Sequence, residues 1–470
     1  MAEHIPIKIV SVDSPFNKAP LQADKLYVRS AKGPIERRRS LSYIVLFLLF
    51  ALLPWLSVEG RQAILLDFSA QRFHVFQWTL WPQDLTLMAW VFIIAAFGLF
   101  FVTSIAGRVW CGFTCPQTAW TWLFNLIERV TEGDRNRRIA RDKAPWHYQN
   151  LSRRLLKHVC WIGVSLFTAL TFVGYFTPID QLFSHVANGS TPFWPGFWIG
   201  LFALCTYLNA GWMKHLMCTH MCPYSRFQSA MFDKDTLTVT YDAGRGEGRG
   251  PRSKKMSSET RAAKGLGDCI DCQLCVQVCP TGIDIRNGLQ YECINCGACV
   301  DACNNVMDKM GYSKGLIRFS SGSRLNGDRV NLWRPKVIGY AMVLLTMIGL
   351  FVADAMTRLP FEASVLRDRN QLSRYSVDGK VENIYTVKIS NKSGTAQLFH
   401  VHIEGIEQAT LSVANAITVQ PDQTYLLPLS VSVPPNVLTD NITPITFVID
   451  DIEQQDASAT LRIPSKFIVF

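Results

Sequence analysis

The chain reads as a multidomain membrane protein: a five-span bundle of apolar helices, a compact cysteine-rich domain inserted before the last span, and a C-terminal domain of short antiparallel strands. Three observations predict this. Five stretches are apolar over about the length of a bilayer core, eight cysteines crowd into residues 269–303, and beyond residue 356 the pattern changes to alternation with period two.

The length of 470 residues leaves room for two or three domains. Apolar residues make up 49%, and mean hydropathy is positive. Only 18% of residues are charged, yet the net charge is +10. In a membrane protein such an excess sits in the loops of one side, so nucleic acid is the poorer explanation and none is expected as a partner. The first forty residues are polar and basic, which argues against a cleaved leader and for an uncleaved first span.

The apolar stretches are 41–58, 86–106, 158–176, 193–213 and 336–356, each close to what a core of about 30 Å requires. The first contains Pro54. Lys and Arg set the orientation: eight in 1–40, ten in 107–157 and eighteen in 214–336, against two in 57–85 and none in 177–192. This predicts a cytoplasmic tail over 1–40, a four-helix region over 41–213 with a basic cytoplasmic loop at 107–157, a cytoplasmic linker and cysteine domain over 214–335, a fifth span over 336–356, and a periplasmic domain over 357–470. Residues 232–267, rich in Gly, Lys, Arg and Ser, read as a flexible linker, with phosphate binding at Gly244–Gly250 as the alternative.

In the C-terminal part Tyr385, Val387 and Ile389 alternate with polar residues, as do Phe399, Val401 and Ile403, and Leu427, Leu429, Val431 and Val433. Turn-forming clusters separate the runs. Such a series predicts an immunoglobulin-like β-sandwich. It contains no cysteine, so no disulfide is expected between its sheets.

Two runs carry the chemistry: Cys269-Ile-Asp-Cys272-Gln-Leu-Cys275-Val-Gln-Val-Cys279-Pro280 and Cys293-Ile-Asn-Cys296-Gly-Ala-Cys299-Val-Asp-Ala-Cys303. Both have C-x₂-C-x₂-C-x₃-C spacing, the pattern of bacterial-type 2[4Fe–4S] ferredoxin domains. A tight loop wraps three corners of a cubane, and by the rule of this motif the last cysteine of each run serves the other cluster. One set is then Cys269, Cys272, Cys275 and Cys303, the other Cys293, Cys296, Cys299 and Cys279. Asn304 stands where the second run would carry proline, which removes no ligand. A zinc site is the competing reading, but it would leave four thiols idle.

Two further pairs share the form C-x₃-C-P: Cys111 and Cys115 before Pro116, and Cys218 and Cys222 before Pro223. If helical, each pair shares one face with Cβ atoms about 5–6 Å apart, too far for a disulfide. Together they are a candidate redox relay or copper site, with His215 and His220 as further ligands. Met213, Met217 and Met221 nearby suit Cu(I) but equally suit packing. Cys160 and Cys205, alone in apolar runs, read as packing residues. Asn188 and Asn391 match glycosylation acceptors and are expected to be idle. No haem attachment, Walker loop or dinucleotide fingerprint occurs.

The two cysteine runs, Trp110-Cys-Gly-Phe-Thr-Cys-Pro-Gln117, the second C-x₃-C-P, five spans and a β-rich tail, in this order, resemble the FixG/CcoG (RdxA) family over essentially the whole chain. The C-x₃-C-P pair alone is shared with NapH/NosR-type membrane polyferredoxins. The resemblance implies an oxidoreductase of the bacterial inner membrane that reduces Cu(II) to Cu(I) for assembly of a cbb-type cytochrome c oxidase. It carries two [4Fe–4S] clusters on the eight cysteines, and copper or a relay at Cys111, Cys115, Cys218 and Cys222. Oxidase subunits or copper-delivery proteins are the implied partners, the electron donor is unassigned, and a homodimer is allowed. A quinol-linked conduit and a non-enzymatic assembly scaffold are the alternatives.

Overall fold

The computed structural model describes residues 25–470 apart from 59, 77, 146–147, 255, 257, 369–371, 377, 394, 413–415, 439, 453–459 and 470. Most of the expected N-terminal tail, residues 1–24, therefore lies outside the described residues. The chain divides into two compact units. One is built on Thr86–Gly349 and the chain preceding residue 78; the other joins Trp78–Leu85 to Leu350–Phe470.

Among the described residues four helices are long and apolar enough to cross a membrane, as an integral membrane protein requires. They are α1 (Pro34–Leu52, continued by a 3₁₀ turn to Trp55 that holds Pro54), α2 (Leu85–Ala106), α5 (Tyr148–Val173) and α10 (Pro335–Met356). The remaining apolar stretch is helical but changes winding. It is α-helical as α6 (Phe193–Thr206) and π-helical from Tyr207 to Met213. Gly211 lies so close to the Trp161 ring that a Cβ there would stand 3.0 Å from it. The helix α5 begins ten residues before the apolar stretch that marked it. Its first turns are polar but satisfied: Arg153 donates to the Thr131 carbonyl, Arg154 to Asp142, and Lys157 pairs with Glu132 at 2.9 Å.

Between α2 and α5 run α3 (Val109–Phe113) and the amphipathic α4 (Pro116–Glu132). At the end of α4, Glu128 is buried between Lys214 (2.6 Å) and Arg138. Burial alone would raise the Glu128 carboxyl, but these cations together hold it below the usual carboxylate range. The segment before α2 forms a hairpin of β1 (Ile64–Asp67) and β2 (Arg72–Val75) that the sequence reading did not anticipate.

The expected flexible linker is partly structured. Thr238–Tyr241 forms β3, antiparallel to β4 (Ile317–Ser320), because alternate residues can be buried against the cysteine domain. Gly246 packs under the Tyr241 ring, with space for no Cβ, which explains one of the glycines in the run read as a phosphate loop. After β3 the domain adds α8 (Leu274–Gln277) and α9 (Ala298–Met310), with α7 (Pro223–Met231) preceding it. Val239, Val300, Met307, Leu316 and Ile317 form its core. The chain leading into α1 clasps this domain. The Ile35 and Glu36 N–H groups donate to the Asp301 carboxylate, at 3.4 and 2.8 Å, so a side chain 265 residues away caps the first helix. Gly33 permits this, since a Cβ there would overlap Asp301.

The second unit is a two-layer antiparallel sandwich. One sheet orders Thr410–Leu411, β9 (Thr424–Val433), β6 (Val381–Asn391) and β5 (Phe361–Arg367), with Arg374–Tyr375 also on β6. The other orders β8 (Ile417–Val419), β7 (Gln397–Glu404), β10 (Ile442–Asp451) and β11 (Thr460–Ile468). The alternation expected from the sequence is the burial pattern observed: Tyr385, Val387, Ile389, Phe399, Val431 and Phe447 fill the core. Within this unit the buried Asp84 accepts hydrogen bonds from Lys392 (2.9 Å) and Arg358.

Candidate metal centres

The two C-x₂-C-x₂-C loops follow the same path. In the first, Asp271 (φ 54°) and Gln273 (φ 55°) lie in the left-handed region; in the second, Asn295 (φ 52°) and Gly297 (φ 70°) do. These are equivalent positions, one residue before and one after the middle cysteine. Three of the four are not glycine and cost about 1–2 kcal/mol each. The strain curls both loops tightly around their thiols. A helix then starts at once, α8 after Gln273 and α9 after Gly297, and carries Cys275 and Cys299 in its first turn.

Two cavities result. One, of about 360 Å³, is lined by Cys269, Cys272, Cys275 and Cys303; the other, of about 350 Å³, by Cys275, Cys279, Cys293, Cys296 and Cys299. The fourth cysteine of each run thus faces the cavity of the other run, and Cys275 borders both. Burial pushes the Cys275, Cys293 and Cys303 thiols up to about 12 and raises Cys279 and Cys299 as well. Left alone, such thiols are neutral, and only a cationic group can make them thiolates. All cysteines are free. Around a single zinc, thiolate sulfurs lie about 3.8 Å apart at the tetrahedral angle. Among the described residues no three cysteines come within 4.8 Å of one another. The donor set therefore fits a body wider than one ion, such as a [4Fe–4S] cubane.

Several functional neighbours were not read from the sequence. Arg108 is buried, donates to the Tyr291 and Ser225 carbonyls, and stands beside Cys293 and Cys111. Arg39, paired with Glu36, stands beside Cys296. Asn295 is buried and its carbonyl accepts from Val239 N–H, pinning the second loop to β3. On the first cavity Arg286 approaches Cys275 but is neutralised by Asp284 (2.6 Å) and Asp271 (2.5 Å). None of these carries a spacing signal.

The C-x₃-C-P pairs do not form the single helical face expected. Cys111 lies within α3, whereas Cys115 is extended (φ −61°, ψ 127°) as the residue before α4; Cys218 lies in a π turn, and Cys222 (φ −75°, ψ 112°) precedes α7. The cause is the proline in each motif, which drives the preceding residue out of the helical region and starts a new helix. The two motifs nevertheless converge. Burial, together with the nearby Cys115 and Cys222, raises Cys111 and Cys218 to about 12. Cys111 packs against the buried cluster that includes Ile294, Cys296 and Ala298 of the second loop. Gly112 touches the same loop, where a Cβ would meet the Ile294 carbonyl at 2.8 Å.

His215 is half-buried, with its imidazolium disfavoured by burial and Lys214, and His220 shares a 2.7 Å hydrogen bond with Thr219. Neither joins a trio of donors at single-ion spacing. Cys160 is half-buried, as packing would have it, but Cys205 is exposed on α6.

Comparison with known proteins bears on these sites. Residues 213–322 match a model described as a 4Fe-4S dicluster domain, and residues 88–131, which include Cys111 and Cys115, one described as a 4Fe-4S binding domain. Residues 351–469 match one described as an IG-like fold at the C-terminal of FixG. The nitrogen fixation protein FixG of Rhizobium meliloti is 34% identical over 87% of this chain and 86% of its own. RdxA and RdxB of Cereibacter sphaeroides are 34% and 36% identical, over 82% and 80% of this chain and 84% and 82% of theirs. The chain is a membrane iron–sulfur protein of electron transfer, and it belongs to the FixG family.

Proposed function

We propose that this protein reduces Cu(II) to Cu(I), passing one electron per copper ion from two [4Fe–4S] clusters through the C-x₃-C-P cysteines, in support of a cbb-type cytochrome c oxidase. Each cluster would supply reversible one-electron transfer. One set of ligands would be Cys269, Cys272, Cys275 and Cys303, the other Cys293, Cys296, Cys299 and Cys279. The observation that carries the reading is the convergence of Cys111, Cys115, Cys218 and Cys222 against the loop of the second cavity. Thiols at that place have no packing advantage over alanine or serine, and they leave a short covalent and van der Waals route onward from Cys296.

The charges give the route a direction. Arg108, with Glu292 nearby, and Arg39, paired with Glu36, stand beside the second set, while Arg286 beside the first is cancelled by two aspartates. Added negative charge is therefore favoured at the second set. The family resemblance adds the acceptor and the setting, copper destined for an oxidase in the bacterial inner membrane, and the Lys and Arg distribution supports a cytoplasmic N-terminus and a periplasmic β domain. The spacing of the four thiols suits a relay or a wider redox group better than one tightly held copper ion.

The test uses anaerobic, reduced protein in detergent, with Cu(I) formation followed by a Cu(I)-specific chelator. Cys218→Ser/Cys222→Ser should slow the reaction at least tenfold while iron and sulfide content at the eight ferredoxin cysteines stays. Unchanged rates would remove the four cysteines from the path. A lack of Cu(II) reduction alongside rapid reduction of the protein by a quinol analogue would favour the conduit. That alternative draws on a cavity of about 660 Å³ lined by Tyr43, Trp122, Arg39, Val278 and Pro280.

A further inference from the structure

The outer face of the sandwich holds a group of donors that the electron-transfer reading does not use. His400 and His402 are two apart on β7, so both project from the same face, opposite to the buried Phe399 and Val401. Asp450 on β10 is the cross-strand partner of His400, and Val448 that of His402. The two imidazoles lie nearly parallel, with ring centres 5.6 Å apart and planes at 28°. One ligand atom from each of His400, His402 and Asp450 lies within 4.8 Å of the others, and no other such trio occurs among the described residues.

The geometry between His402 and Asp450 is informative. Nδ1 of His402 stands 3.3 Å from Oδ2 of Asp450, yet it is shielded from solvent and makes no hydrogen bond. A charge-assisted N–H···O contact would be shorter, about 2.7–2.9 Å. Two ligands bound at about 2.1 Å to one tetrahedral ion lie about 3.4 Å apart. The observed separation matches the second case. The nearest carboxylate along the strand is already engaged: Glu404, two residues along β7, pairs with Arg462 of β11 at 2.8 Å. The side chains of His402 and Asp450 remain 38% and 31% exposed, so an ion can reach them without unfolding the sheet.

We infer that His400, His402 and Asp450 form a binding site for a divalent transition-metal ion, with Cu²⁺ held most tightly and Zn²⁺ next. Two imidazoles and one carboxylate are the donors of borderline ions. They are too soft a set for Mg²⁺ or Ca²⁺ and too hard for Cu⁺, and the general order of divalent affinities places Cu²⁺ first. Three protein donors leave at least one position for water, so the ion exchanges readily. The sheet supplies the preorganisation: a strand spacing of two residues aligns the imidazoles, and strand pairing places the carboxylate opposite. All three residues belong to the second unit, and none of them is a residue of the cysteine chemistry.

The experiment is an anaerobic titration of the full-length protein with Cu²⁺, in detergent and with the iron–sulfur clusters oxidised. It is read by paramagnetic resonance, with affinity taken from chelator competition. The expected result is one equivalent of copper whose signal shows superhyperfine splitting from two nitrogens. His400→Gln/His402→Gln should abolish that signal and weaken binding at least tenfold, and Asp450→Asn should weaken it severalfold. Glu404→Gln, on the same face but outside the trio, should bind as the parent does and so reports on the integrity of the sheet. An unchanged signal and affinity in the double variant would overturn the inference. So would a signal dominated by sulfur ligation. Both outcomes are distinct from failure of Cu(II) reduction, which is read on different residues.

Discussion

At Gly112 the first C-x₃-C-P motif and the second cysteine loop meet backbone to backbone. A side chain there would meet carbonyl oxygens of Ile294 and Asn295 at 2.8 and 3.0 Å, and backbone in a strained loop cannot give way cheaply. Gly112→Val should therefore destabilise the protein by about 1–3 kcal/mol and slow copper reduction; a denaturation midpoint and a rate both equal to the parent's would show the contact to be slack. The glycine could have been noticed, since it sits between two cysteines, but its reason could not. Ligand cysteines are legible because wrapping a cluster depends on short spacings in one loop. Arg108 and Arg39 act through burial beside residues 100 or more positions away, and Asn295 through Val239, 56 positions away, and no local pattern records that. Asp271, Gln273 and Asn295 also kept their left-handed backbones hidden, because residue type alone predicts glycine there.

Helix limits show where hydropathy misleads. It marked the greasy part of α5 and missed its polar first turns, and it predicted one even helix where Phe193–Met213 passes from α to π winding. The period-two signal of the β domain was the most legible element, because burial alternates along most of β6 and β7 and breaks only at their last residues. Ion networks at helix ends were not legible at all. Glu128 makes the point: Glu128→Gln would leave Lys214 and Arg138 without a counter-charge in a buried place, a loss of about 3–5 kcal/mol. The sign with pH follows from the direction of its shift. Its carboxyl is held below the usual value of about 4.3, so its stabilisation is complete above that pH and disappears as pH falls through the lowered value. Thermal unfolding of both proteins in detergent should show a wide gap at pH 7 that begins to narrow as pH falls below about 4.3. A constant gap down to pH 3 would contradict the ion-pair account.

For the molecule as a whole, an odd number of crossings would place the two ends on opposite sides of the bilayer. Glu407 in the β domain and Lys264 in the cysteine domain are both exposed. In intact cells a membrane-impermeant thiol reagent should label Glu407→Cys and leave Lys264→Cys at the background of the parent; labelling of both would refute five crossings. The division into helical, cysteine-rich and β regions was legible from composition alone. That Trp78–Leu85 groups with the β unit, through Asp84 on Lys392 and Arg358, was not, since these partners lie 308 and 274 positions further along the chain.

The cap that Asp301 places on α1 has a temporal meaning. Its two partners are made 265 residues apart, and at 5–20 residues per second that interval lasts roughly 13–50 s on the ribosome. The leading segment must wait uncapped while the intervening helices enter the bilayer, and it locks only when the last cysteine loop has been synthesised. Assembly thus has a built-in late step, since the clasp closes on the same helix that carries Cys299 and Cys303.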